Sequence, residues 1–212
     1  MAAARRRNRV LAVVGTVAFG LVVMHATATL LRACNIGPEP TATEAPALYL
    51  DPKFGFSLEV DPRFPQDAPA GRIDSGLYSV GWTARDSPKV DGFALDLFVV
   101  TVRERGERVS GRVVTAEIRS MLSHPRQLEA ALGGGAKLIR AWKTTVDGVS
   151  AAAFEAMYTM PSSGARVRVL FVDVPMRSLK FTIGGIASPD TWSRNLPAFE
   201  AMIASVRLPN ER

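Results

Sequence analysis

The chain has 212 residues and a formal charge of +6, from 26 basic and 20 acidic side chains. Five of the basic residues and none of the acids fall within residues 1–34, so the rest is close to neutral and has no general basic footprint, which excludes nucleic acid as a partner. A single cysteine rules out an internal disulfide, and two histidines leave no His/Cys set for a transition-metal centre.

The chain opens MAAARRRNR, with Arg5, Arg6, Arg7 and Arg9 ahead of an apolar run from Val10 to Leu31. At about 1.5 Å per residue, a helix over residues 10–31 is long enough to span a bilayer. Four arginines before it and only Arg32 after it predict a cytoplasmic N-terminus, and so an inner-membrane protein with a periplasmic C-terminal domain. Three fates of the leader, residues 1–34, compete. It stays uncut as a single-pass anchor, it is cleaved after Ala28 in the small-x-small ATA, or Cys34 is lipidated. LRAC resembles a bacterial lipobox, but Arg32 stands where that motif takes a small or apolar residue. The expected outcome is the anchor, with Cys34 an unlipidated residue just outside it. Residues 35–47, rich in Pro, Thr, Glu and Ala, form a flexible tether. Residues 48–212 are the length of one domain with one core.

FGFSLEV places Phe54, Phe56, Leu58 and Val60 on one face, which predicts a half-buried strand. Gly76–Ala84 is a second strand. Phe93–Val102 is apolar on both faces apart from Asp96 and Thr101, as expected of a strand covered on both sides. RERGERVSGR (Arg103–Arg112) mixes charges in the manner of a solvated loop. Val114, Ile118, Met121, Leu128 and Leu132 form a helical stripe, and Pro125 predicts a kink, or two short helices meeting near Ser123–His124. Gly133–Gly135 stops the helix; these glycines follow a helix rather than open one, so they make no phosphate loop. AKLIRAWKTTV and VSAAAFEAMYTM flank Asp147–Gly148, a strong hairpin signal. ARVRVLFVDV and SLKFTIGGI supply two more strands. A last helix is predicted from Ser188 as N-cap and Pro189 at the first helical position, with a stripe of Trp192, Leu196, Phe199 and Ile203.

This order predicts an α+β fold, a mainly antiparallel sheet covered by helices on both faces. Three segments then carry a resemblance to the PsbP-like family. They are DPKFGFSLEVDPRF as its opening strand, TTVDGVSAAAFEAMY as its central hairpin, and FEAMIASVRL as its closing helix and strand. Phe64 stands where the family often has Trp, and Val206 where it often has Phe. The resemblance covers about residues 48–208. It implies an α-β-α sandwich, extracytoplasmic placement and mostly non-catalytic roles, as in extrinsic photosystem subunits and bacterial envelope lipoproteins.

His25 belongs to the leader, so His124 is the only histidine that a catalytic system of the domain could use, and its place before Pro125 reads as a helix junction. Asp96 is the oddest residue, an acid within an apolar strand. It is expected to mark a polar core site, paired with an arginine or facing a polar layer. No cofactor and no catalytic residue are expected. The reading that follows is an accessory or scaffold subunit, tethered by residues 10–31 and docked on a membrane complex. The alternative is an envelope lipoprotein that binds a small ligand or envelope component.

Overall fold

The computed structural model describes residues 45–65, 71–74, 77–90, 92–132, 135–160 and 163–210. Residues 10–31, Ala28, Cys34 and most of the tether lie outside the described residues. Among the described residues, no helix is long and apolar enough to cross a membrane.

The first strands in chain order are β1 (Ala47–Leu50), β2 (Ser57–Val60), β3 (Gly71–Asp74), β4 (Leu77–Thr83), β5 (Lys89–Val90), β6 (Phe93–Ala94) and β7 (Leu97–Glu104). Helices α1 (Gly111–Ser123) and α2 (Pro125–Leu132) follow, divided at the proline as its missing N–H requires. Then come β8 (Lys137–Val146), β9 (Val149–Thr159), β10 (Arg166–Pro175), β11 (Leu179–Ala187) and α3 (Trp192–Ser205). Seven strands form one sheet in the order β3-β4-β7-β11-β10-β9-β8, antiparallel throughout, while β1–β2 and β5–β6 are separate hairpins. The β8–β9 turn holds Asp147 at φ 48° and Gly148 at φ 76°, the left-handed pair that a tight two-residue hairpin needs.

Strand alternation sorts the side chains into two cores. On one face Phe98, Val100, Leu170, Val172, Phe181 and Ile183 pack against Phe199 and Met202 of α3 and against Phe56 and Leu58 beside and on β2. On the other, Val167, Val169 and Phe171 meet Leu128 and Leu132 of α2, and Ala152 meets Ile118 and Met121 of α1. The result is a helix–sheet–helix sandwich. Each fully buried Phe or Leu contributes about 1.5–3 kcal/mol, so both layers stabilise the fold substantially.

One cross-strand row organises the α3 face. Trp82 lies opposite Phe98, Phe98 opposite Gly185, Gly185 opposite Leu170, Leu170 opposite Glu155, and Glu155 opposite Arg140. Phe199 of α3 occupies the gap at Gly185, where a Cβ would stand 2.2 Å from its ring. The row thus runs from an aromatic end, across the helix seat, to a charged end.

Several expectations are corrected. Ala47, assigned to the tether, begins β1, so the folded unit starts one residue earlier. Phe54 lies in the β1–β2 turn and is half-buried, and β2 begins at Ser57. Phe93–Val102 is two strands, divided at Leu95–Asp96. The last helix opens at Trp192 with Thr191 as its N-cap, while Ser188 and Pro189 lie in the preceding turn. Its buried face runs through Trp192, Asn195, Ala198, Phe199 and Met202, with Leu196 and Ile203 only half-buried.

Candidate functional site

At the aromatic end of the row, the β1–β2 hairpin folds over the sheet beside Trp82. The strand ALYL alternates, so Tyr49 turns inward while Leu48 and Leu50 face solvent. The Tyr49 ring meets Trp82 edge-on, with centroids 5.1 Å apart at 84°. Between hairpin and sheet lies an open groove of about 490 Å³, whose walls are largely Leu48, Tyr49, Val60, Phe64 and Trp82. Leu48 is 74% exposed and Leu50 66%, the two most exposed large apolar side chains among the described residues. Exposed leucines beside an aromatic-lined groove mark a surface suited to contact.

Asp51 fixes the hairpin in place. It is buried, and its Oδ1 accepts the backbone N–H groups of Lys53 at 3.0 Å and Phe54 at 2.6 Å. Its Oδ2 accepts the hydroxyls of Tyr49, at 3.1 Å, and of Tyr78 on β4. The turn that follows uses Gly55 at φ 70°. Burial pushes the Tyr49 hydroxyl up to about 12, with the adjacent Asp51 carboxylate adding to the effect. Tyr78 is raised further, by burial and by its hydrogen bond to Asp51.

The charged groups on the groove lining are Asp61 and Arg85. Asp61 is paired with Arg63, whose Nε and Nη2 each donate to its carboxylate at 3.0 Å. Burial works to raise the Asp61 carboxyl, but the side-chain and backbone hydrogen bonds from Arg63 outweigh it and hold it below its ordinary value. Apart from Asp61 and Arg85 the lining side chains are apolar, and Asp61 is already paired with Arg63. Among the described residues, no group of three or more His, Cys, Asp or Glu is placed to hold a metal ion.

Asp96 lies elsewhere, fully buried at the foot of α3. Its carboxylate accepts the Ser188 N–H at 3.0 Å, the Thr191 hydroxyl at 2.7 Å and the Asn195 amide at 2.8 Å. Arg194, half-exposed, stands 3.8 Å away and is better paired with Asp86 at 2.6 Å. Asp96 anchors the start of a helix and does not open onto the groove. His124 is exposed at the C-cap of α1, its Nδ1 2.9 Å from the Ser120 carbonyl. Leu48, Tyr49 and Leu50 were the residues that periodicity passed over. Their signal is the four-residue apolar run Ala47–Leu50 between Pro46 and Asp51-Pro52, too short to separate from the end of a tether.

By sequence the chain matches no protein-family model and no curated protein. By structure it is similar to cyanobacterial PsbP from Synechocystis sp. PCC 6803, with 16% identity, a TM-score of 0.52, and 82% of this chain and 99% of that one covered. It is similar in the same degree to LpqN of Mycobacterium tuberculosis, with 15% identity, a TM-score of 0.52, and 82% and 100% covered. The domain therefore has the PsbP-like fold that its opening strand, central hairpin and closing helix resemble.

Proposed function

We propose that this is a non-catalytic accessory domain, held on the periplasmic face of the inner membrane by residues 10–31 and docked on a membrane protein complex through the β1–β2 groove. The observation that carries this reading is the outward placement of Leu48 at the rim of the groove, with Leu50 exposed beside it on the same strand. They stand at the end of the domain nearest in sequence to the apolar segment. β1 is the first element after the tether, so it is the part of the domain closest along the chain to the membrane. A photosynthetic complex is the partner that the PsbP-like resemblance implies. LpqN, described as involved in cell envelope biogenesis, shares the fold equally, so the fold itself does not select a partner.

The test is the size of the native assembly. Full-length protein extracted from its own membranes in mild detergent should migrate in a complex, and Leu48→Ser/Leu50→Ser should release it as a folded monomer. Wild-type protein that emerges alone, or a complex indifferent to both substitutions, overturns the reading. A second reading draws on the groove's volume, which falls in the range of small-ligand sites. On that reading Cys34 carries a lipid and the groove holds an envelope component. Wild type is then monomeric, and mass spectrometry finds a bound small molecule that the double variant loses.

A further inference from the structure

The charged end of the cross-strand row holds a second cluster, separate from the groove. Glu155, in the middle of β9, is only 2% exposed on the α3 face. A buried carboxylate needs one cationic partner, and this one has two. Arg140, directly opposite on β8, donates its Nε to Oε2 at 2.8 Å. Arg168 on β10 donates to Oε1 through Nε and Nη2. Each guanidinium also lies over an indole ring, Arg140 at 4.5 Å from the centroid of Trp142 and Arg168 at 4.8 Å from that of Trp192.

The charge balance is uneven. Two guanidinium groups on one carboxylate leave one positive charge in excess, and it is held at the surface, with Arg140 53% and Arg168 34% exposed. Among the described residues Arg140 hydrogen-bonds Glu155 through Nε, and the two outer nitrogens of its fork have no acceptor there. β8 is the last strand of the sheet in that direction, so no described strand covers this end. A stacked and hydrogen-bonded guanidinium has already lost most of its side-chain freedom. Binding an anion there costs little further ordering, whereas a free surface arginine must still be immobilised.

We propose that Arg140 and Arg168, oriented by Glu155 and by the rings of Trp142 and Trp192, form a binding site for a phosphate group. A phosphate offers several oxygens to two neighbouring forks and supplies the charge that Glu155 leaves unmatched. The group comes either from the headgroup of an anionic phospholipid or from free phosphate. The site stands independently of the docking reading, since it uses none of the groove residues.

Tryptophan emission reports the site directly, because Trp142 and Trp192 lie against the two guanidinium groups while Trp82 is buried at the far end of the row. Full-length protein in a neutral detergent is titrated with inorganic phosphate and, separately, with short-chain phosphatidylglycerol, with short-chain phosphatidylcholine as control. Saturable change with both phosphate and phosphatidylglycerol assigns a free-phosphate site; saturation with phosphatidylglycerol alone assigns a headgroup site. Arg140→Ala, which leaves Arg168 to satisfy Glu155, should weaken either affinity about tenfold, the loss of one charge-assisted contact, and Arg140→Lys should restore part of it. Thermal unfolding of each variant establishes that it is folded. Absence of saturation in wild type with either ligand overturns the proposal. So does unchanged affinity in a folded Arg140→Ala, which would leave the arginines as covers for Glu155 and nothing more.

Discussion

Replacing Asp96 with alanine removes the acceptor on which the first turn of α3 is built. Three donors lose their partner: the Ser188 N–H, the Thr191 hydroxyl and the Asn195 amide. Thr191 has an alternative, since its hydroxyl already lies 2.8 Å from Ser188 Oγ. Ser188 and Asn195 are buried and have none among their described contacts. Two orphaned buried donors at roughly 1–3 kcal/mol each put the loss at about 4 kcal/mol, a large part of the stability of a small domain. Asp96→Asn keeps the shape and one acceptor oxygen and should lose about 2 kcal/mol. Arg194→Ala should cost under about 1 kcal/mol, because a half-exposed pair contributes little. Urea unfolding followed by tryptophan emission measures all three. A loss below about 0.5 kcal/mol for Asp96→Ala, or a gain for Asp96→Leu, would refute the account of Asp96 as the anchor of α3.

Gly185→Ala drives a methyl group into the Phe199 ring and should destabilise by about 1–3 kcal/mol or more; Gly185→Ala/Phe199→Leu should recover part of the loss in the same unfolding assay. The chain has three tyrosines, and all three hydroxyls are raised, Tyr49 and Tyr158 to about 12 and Tyr78 further, with burial the main cause. The fold favours their neutral form, so that contribution is full below the ordinary value of 10.0 and is lost as pH rises towards and through 12. Absorbance near 295 nm should therefore show no tyrosinate in the native protein at pH 10, and ionisation of one tyrosine there would contradict this. Asp61 behaves oppositely. Its lowered value stabilises the fold above the ordinary carboxylate range and is lost as pH falls through the folded value, and Arg63→Ala should move its titration upward when followed by NMR.

The strands plainest in the sequence are the long ones; β2, with four residues, stands out because Phe54 and Phe56 extend its alternation. β8 to β11 run nine to eleven residues, and the Asp147–Gly148 turn fixes their first hairpin. β1, β3, β5 and β6 run two to four residues, too short for an alternation to stand out. The start of the last helix misled for a different reason. Ser188-Pro189 has the local chemistry of a helix opening, yet Asp96, distant in sequence, takes the Ser188 N–H and the Thr191 hydroxyl and holds them in a turn. The same carboxylate draws Asn195 inward, which turns the buried face of the helix away from Leu196 and Ile203. The groove and the Arg140–Glu155–Arg168 cluster depend on cross-strand register and on which face of a strand meets solvent. Neither is written in the local pattern of one strand.

The docking claim is tested most directly by placing a photo-crosslinking amino acid at position 48 of the full-length protein in intact membranes, with position 113 as control. Val113 is also exposed but lies on α1, on the opposite side of the sheet. The account predicts an adduct from position 48 to a subunit of a membrane complex, and none from position 113. No adduct at position 48, or the same adducts from both positions, would contradict it.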